Sequence, residues 1–210
     1  MFITLLFEDP RTFFLMVLFV VLSVTIHEYM HAFTALKMGD PTAADNGHLT
    51  MNPFKQMGLI SLIMLCFIGI AWGQVPVNPM NLNSKKKRIL VALSGVLANL
   101  GLAVIFTLLA LLVMVHTENQ EYAVSMLIYG ATINVVLLIF NLMPVPGLDG
   151  FNVVREFIRI NSRQAAERAN TIFFVMMLLL LFFGIDYIIT LASRIVGALF
   201  YLFANLLGVI

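Results

Sequence analysis

The chain has 210 residues, of which 61% are hydrophobic and 11% charged, and its formal net charge is +1. A soluble domain carries about 25% charged residues, so this much apolar surface cannot be buried in one soluble core of this size. The composition predicts a polytopic membrane protein with the lipid bilayer around it, and no nucleic acid is expected as a partner. The single cysteine, Cys66, excludes an intrachain disulfide and a cysteine-based zinc cluster.

The first predicted element is an apolar helix over residues 12–36. Its first part, residues 12–26, carries no charge. About 20 residues are enough to cross a bilayer, so this helix is long enough to span. Gly39 and Pro41 follow it and are expected to end it, because glycine is the preferred helix-terminating residue and proline cannot continue a helix.

Two histidines, His27 and His31, lie within this first helix, with Glu28 directly after the first. Positions i and i+4 share one helix face, so the two imidazoles can bind one Zn²⁺ while the carboxylate acts as general base for a water molecule. A structural metal or a buried polar cluster is the alternative interpretation. A glutamate in hydrocarbon is costly unless paired, which favours a functional use.

The next apolar segment, residues 58–72, is shorter than the usual spanning length of about 17–25 residues. A re-entrant or interfacial segment is therefore at least as well supported as a full crossing. The stretches 49–53 and 75–79 both end in Asn-Pro and could form small strands beside it, or be two unrelated loops. A small re-entrant or β-hairpin element is thus expected between the first and second core helices.

The remaining predicted helices are apolar, except for one arginine-rich segment that is either an amphipathic surface helix or a helix start. Their ranges are 89–115, 122–143, 151–170 (the arginine-rich one), 171–192 and 195–210. The last apolar stretch could cross the membrane or lie in its interface. The fold class expected is an all-α polytopic membrane protein with about five to six hydrophobic helices. Residues 1–210 are expected to form a single domain, with a core at 12–155 and additional C-terminal helices at 156–210.

The basic residues orient this arrangement, because Lys and Arg concentrate in cytoplasmic loops. Residues 85–88 and 155–168 are both basic and flank the pair of helices at 89–115 and 122–143. Both ends of that pair are therefore expected in the cytoplasm. If residues 58–72 do not cross, the histidine pair lies toward the cytoplasmic side, about 10 Å below the surface.

A catalytic zinc needs a third protein ligand besides the two histidines. The candidates in this chain are His48, His116, Asp149 and Asp186. Asp149 is favoured because it lies on the same predicted side as the histidines, just after the helix-breaking Pro144 and Pro146. Irregular backbone at membrane depth is tolerated only against protein or a water-filled cavity, so this segment predicts a wet pocket.

Two motifs are found together in apolar helices, His27-Glu28-x-x-His31 and a later one spanning residues 141–150 that ends in Asp149-Gly150. In this combination the chain resembles the site-2 protease family of intramembrane metalloproteases, in its short form without a PDZ domain. The resemblance runs from about residue 20 to residue 155. It implies one Zn²⁺ per chain, held by His27, His31 and Asp149, with Glu28 as the catalytic base.

The resemblance also implies a substrate and a location. The substrate is expected to be a membrane-anchored protein, cut within or near a transmembrane segment in regulated intramembrane proteolysis. The segment to be cut must unwind, and the residues expected to position it are Asn99, Asn141, Pro144 and Pro146. A prokaryotic plasma membrane is the expected location, with the active site toward the cytoplasm.

Two other functions remain open from the residues alone. A membrane metal transporter or channel could use the His/Asp cluster as a transit site, although no second metal site continues the path across the bilayer. An inactive relative could bind membrane proteins and present them to another factor. Glu28 argues against the inactive relative, because a pure binder has no need of a base.

Overall fold

The computed structural model describes residues 2–116, 120–158 and 184–209, together with residues 171, 172 and 175. Within these residues the chain is helical and contains no strand. Six helices carry labels: α1 Pro10–Met38, α2 Gly58–Ile68, α3 Lys85–His116, α4 Glu121–Asn141, α5 Asp149–Arg155 and α6 Ile185–Leu206. Short helical pieces occur at Phe2–Thr4, Leu5–Glu8, Thr42–Asp45 and Pro53–Gln56.

Four of these helices are long and apolar enough to cross a membrane, namely α1, α3, α4 and α6. The predicted helices at 12–36, 89–115 and 122–143 are confirmed as α1, α3 and α4. α1 ends where expected, because Gly39 adopts the left-handed conformation with φ 103° and caps the helix. α2 has 11 residues, so it is about 17 Å long and too short to span.

The C-terminal prediction needs a correction. Separate segments were expected at 171–192 and 195–210, but α6 runs without a break from Ile185 to Leu206. The helix accommodates the polar residues at the expected break because Ser193 donates its hydroxyl to the carbonyl oxygen of Ile189 and Arg194 is exposed. Most of 171–184, and the part of the predicted amphipathic helix beyond residue 158, lie outside the described residues.

The core forms where α1, α3, α4 and α6 pack together. Small residues at the crossings, such as Ala103 and Ala131, are fully buried and let the helices approach closely. The rings of Phe19 and Phe106 meet edge to face at 5.2 Å between centroids. Gly130 leaves space for Phe19, since a Cβ on it would lie 2.8 Å from the ring.

The segment between α2 and α3 has irregular backbone, and so do residues 49–52, while Pro53 begins a short helix, so neither stretch considered as a strand forms one. Residues 71–82, here called the cavity loop, are held by hydrogen bonds to other parts of the chain. Ser61 Oγ accepts from the Trp72 amide at 2.9 Å and donates to its carbonyl at 2.7 Å. The carboxylate of Asp40 accepts from the Asn78 amide and the Asn81 side chain, both at 2.7 Å.

Candidate metal centre

Three side chains converge where α1 meets the start of α5. His27 and His31 lie one turn apart on α1, and their Nε2 atoms are 3.0 Å apart. Asp149 Oδ2 is 3.1 Å from Nε2 of His27 and 3.2 Å from Nε2 of His31. Both histidines are buried. Among the described residues this is the group of three that could hold a metal ion.

The hydrogen bonds of the two Nδ1 atoms indicate whether the Nε2 atoms are free to bind a metal. His31 Nδ1 donates to the carbonyl of Val91 at 2.8 Å, and His27 Nδ1 lies 2.5 Å from Asn99 Oδ1. With a hydrogen on each Nδ1, neither Nε2 carries one in the neutral ring. In the neutral rings, two nitrogen lone pairs and a carboxylate oxygen then face one another without a hydrogen between them, an arrangement that a bound cation would stabilise. Two histidines and one carboxylate form a donor set that Zn²⁺ accepts.

A tight turn brings Asp149 back to the histidines. α4 ends at Asn141, and the following turn carries Pro144 and Pro146 and reaches α5 at Asp149. Gly147 has φ 95°, a left-handed conformation that glycine adopts without strain. Gly150 passes so close to the end of α4 that a Cβ on it would lie 2.2 Å from the carbonyl oxygen of Leu142.

The centre opens into a cavity of about 680 Å³. Glu28 lines it beside the histidines, and the backbone of the cavity loop passes directly over this side chain, since a Cβ on Gly73 would lie 2.3 Å from Glu28 Cγ. The far wall carries Arg88, Arg155 and Glu156. Such a volume is within the range of small-ligand pockets, about 300–1,000 Å³.

The predicted site residues fall into three groups. His27, Glu28, His31, Asp149 and Asn141 all line the cavity. Pro144 and Pro146 shape the turn that leads to Asp149 and are not part of the cavity wall. Asn99 is fully buried beside His27. Of the other metal candidates, His116 donates to the Leu112 carbonyl at the end of α3, and Asp186 lies in the first turn of α6.

The structure also shows site residues that the sequence did not indicate. Ser94 lies between the helices, donating to the Val91 carbonyl at 2.7 Å and lying 3.3 Å from His31 Nδ1. Gly95, on the same helix, leaves open the space into which both imidazoles point. Asp40 holds the cavity loop from the far end of α1. No charge run or motif marks these positions.

A bundle of membrane-length helices, with two buried histidines and a partly buried aspartate beside a glutamate in one cavity, is typical of a membrane-embedded metalloenzyme. Comparisons with known proteins agree with this class. The family model described as Peptidase family M50 matches residues 112–184, which include the Asp149 motif. No solved structure matches the chain.

Several bacterial proteins are similar over most of this chain. The protein named "Putative zinc metalloprotease YwhC" of Bacillus subtilis (strain 168) is 33% identical over 79% of this chain and 78% of its own length. The proteins named "Putative zinc metalloprotease Rip2" are similar in the same way. That of Mycobacterium tuberculosis H37Rv is 31% identical over 79% of this chain and 68% of its own length. The protein of Mycolicibacterium smegmatis is 32% identical over 76% of this chain and 63% of its own length. The chain belongs to peptidase family M50, the site-2 protease family, and is a metalloprotease.

Proposed function

We propose that this protein hydrolyses peptide bonds within or near the transmembrane segments of membrane-anchored proteins, in regulated intramembrane proteolysis. His27, His31 and Asp149 would hold one zinc ion per chain. The observation that carries the proposal is that these three ligand atoms lie within 3.2 Å of one another in a cavity that Glu28 also lines. His31 lies seven residues before the end of α1, which is about 10 Å along a membrane-length helix.

Glu28 is the proposed general base. Zinc, when bound, supplies Lewis-acid chemistry, polarising a carbonyl and making water acidic enough to lose a proton near neutral pH. Glu28 lies in the same cavity, and its carboxylate would accept a proton from the attacking water and donate it to the leaving amine. Its burial keeps competing bulk water away from the carboxylate. The backbone at Gly73 limits the space in which its side chain can move.

The substrate must present an extended backbone, because the carbonyls of an intact helix are occupied by intrahelical hydrogen bonds. The cavity loop offers one side for such a segment. Among the described residues, the amides of Val75 and Val77 have no hydrogen-bond partner, and the loop is anchored at Gln74 and Asn78 on either side of them. An extended substrate segment can pair with residues 74–79. Asn141 is the residue proposed to bind the unwound backbone, and its position on the cavity wall supports this role.

The proposed location is a prokaryotic plasma membrane, since the similar proteins come from bacteria, with the site toward the cytoplasm. The basic run at residues 85–88 begins α3, and Arg155 ends α5, at the same end of the molecule as the cavity. Positive residues mark cytoplasmic ends. In this placement α2 and the cavity loop enter and leave the membrane on the cytoplasmic face as a re-entrant element. The count of five to six hydrophobic helices stays a prediction, because part of the sequence on which it rests lies outside the described residues.

One reconstitution experiment separates proteolysis from metal transport. The purified protein is placed in liposomes with a single-span probe protein that carries a Gly-Pro pair in its transmembrane segment, and both probe cleavage and zinc uptake are recorded. We expect zinc-dependent cleavage and no zinc flux. Metal flux without cleavage would overturn the proposal in favour of a transporter, a function that the described residues support poorly because they hold one candidate metal group.

A further inference from the structure

A line of buried polar side chains leads from the backbone of α1 to the metal ligand His27. Ser23, Asn134 and Asn99 are each fully buried, and they lie on α1, α4 and α3. Asn134 Nδ2 donates to Ser23 Oγ at 2.8 Å, Asn99 Nδ2 donates to Asn134 Oδ1 at 2.9 Å, and Asn99 Oδ1 is 2.5 Å from His27 Nδ1. We call Ser23, Asn134 and Asn99 together the amide relay.

The direction of every bond in the relay follows from two backbone carbonyls. Ser23 donates its only hydroxyl hydrogen to the carbonyl of Phe19 at 2.7 Å, so its oxygen can only accept from Asn134. The second hydrogen of Asn134 Nδ2 goes to the carbonyl of Gly130 at 2.9 Å. Flipping this side-chain amide, so that Oδ1 and Nδ2 exchange places, would put Oδ1 of Asn134 next to the carbonyl oxygen of Gly130, and the two oxygens would repel each other. Asn134 therefore presents Oδ1, an acceptor, to Asn99.

The orientation of Asn134 in turn fixes the orientation of Asn99 and the hydrogen position on His27. Asn99 must direct Nδ2 toward Asn134, so its Oδ1 faces His27. An acceptor at 2.5 Å requires a hydrogen on His27 Nδ1. The neutral ring then has its lone pair on Nε2, the atom that faces His31 and Asp149. The backbone carbonyl of Val91 fixes His31 directly and cannot turn over, whereas His27 depends on side chains of two other helices.

We infer that Asn99 is a positioning residue for the metal centre, because the amide relay fixes His27 in the Nδ1–H tautomer and so aims its Nε2 lone pair at the zinc. This inference rests on the metal centre proposed above. It replaces the expected contact of Asn99 with substrate, since both polar atoms of this buried amide are already occupied. Partners behind a ligating histidine typically contribute 10–100-fold to metal affinity.

The test measures Zn²⁺ affinity by competition with a chromophoric chelator, in detergent, for four proteins. Asn99→Leu removes the acceptor at similar size, and we expect its affinity to fall about 10–100-fold. Asn134→Leu keeps Asn99 but removes the acceptor that fixes the orientation of its amide, so the amide can flip. We expect the Zn²⁺ affinity of this variant to fall about 10-fold. Thr107→Val is the matched control, because Thr107 is a fully buried polar residue of α3 that donates only to the Ala103 carbonyl, outside the relay.

A second readout concerns the tautomer itself and needs no metal. In metal-free protein with ¹⁵N-labelled histidine, the wild type should show His27 as the Nδ1–H form, with its signal assigned from a His27→Gln sample. Asn134→Leu should add the Nε2–H form. The inference is overturned if both relay variants bind zinc like Thr107→Val, or if His27 keeps one tautomer in all of them. A wild type that binds no zinc would contradict the metal centre, while the tautomer spectrum would still test the relay.

Discussion

Gly95 lies against His31 so closely that a Cβ built on it would be 2.4 Å from the Nε2 of that histidine. The same Cβ would be 2.6 Å from Nε2 of His27. α3 therefore presents bare backbone to the two nitrogen atoms that would bind the metal. A side chain at this position would occupy the space between the ligands.

Replacing Gly95 with alanine should weaken metal binding without unfolding the helix. We expect Gly95→Ala to lower zinc affinity more than 10-fold, because its methyl group must displace both imidazoles from their present positions. Gly101→Ala on the same helix is the matched control, since a Cβ there has no neighbour within 4 Å. Zinc bound per chain after gel filtration is the measurement. Equal zinc in the two variants would contradict the assignment of Nε2 as the ligand atom.

Gly73→Ala should separate metal binding from catalysis. A Cβ on Gly73 would lie 2.3 Å from Glu28 Cγ, so the substitution must move the proposed base or the cavity loop. We expect zinc content to stay at the wild-type level while cleavage of a single-span probe falls about 100-fold or more, the range for loss of a general base. Gly197→Ala on α6, where a Cβ has open space, serves as control. Unchanged cleavage in Gly73→Ala would speak against the role of Glu28.

Asp40 should anchor the cavity loop through charge-assisted hydrogen bonds. Burial alone would raise the pKa of its carboxyl, but hydrogen bonds from the Thr42 hydroxyl, Asn81 and two backbone amides outweigh this and hold the pKa below its usual value. We expect Asp40→Ala to destabilise the fold by about 3 kcal/mol. Hydrogen bonds to a charged group contribute roughly 1.5–3 kcal/mol each, but the freed donors can bond to water in the variant, so the total loss is smaller than the sum. Asp45→Ala, at an exposed carboxylate nearby, should cost less than about 0.5 kcal/mol.

The lowered pKa of Asp40 also fixes the sign of a pH effect. A group with a lower pKa in the folded state stabilises the fold above its unfolded pKa, about 3.9, and this stabilisation is lost as the pH falls through the folded value. The difference in thermal midpoint between wild type and Asp40→Ala should therefore be constant from pH 7 to 5 and shrink below pH 4. A difference that grows on acidification would contradict this.

Removing the metal should destabilise the protein. Three acceptor atoms within 3.2 Å of one another repel when no cation lies between them. A ligand at 1,000 times its dissociation constant stabilises the folded state by about 4 kcal/mol. We expect a strong chelator to lower the unfolding midpoint of the wild type and to have little effect on Asp149→Ala. The same midpoint for the wild type with and without chelator would count against a bound metal.

Much of the membrane-spanning part could be predicted from the sequence, because a long uncharged run has few alternatives to a helix in lipid. The His27–His31 pair could be placed on one face by spacing alone. Asp149 is different: it lies 118 positions from His31, and only topology brings it there. The residues alone favoured it among four candidates, because of its predicted side of the membrane and the prolines before it, and the family motif agreed with that choice.

The positions that could not be predicted depend on partners distant in the chain. Asp40 follows a helix-ending glycine, and from the sequence it would be expected in a solvated loop. In the structure its carboxylate accepts hydrogen bonds from Asn78 and Asn81. The role of Asn99 depends on which way its amide faces, which is decided by residues of two other helices. The break predicted near Arg194 was wrong for a related reason. The polar residues Ser193 and Arg194 do not interrupt α6, because Ala192 and Val196 on the same helix pack into the core.

The central claim is that Glu28 activates water at a zinc ion held by His27, His31 and Asp149. The most direct test is to measure zinc content and cleavage together for the wild type and Glu28→Gln, using a single-span probe in detergent. We predict one zinc per chain in both proteins and a loss of cleavage of about 100-fold or more in Glu28→Gln. Equal cleavage by the two proteins, with zinc bound to both, would contradict the account.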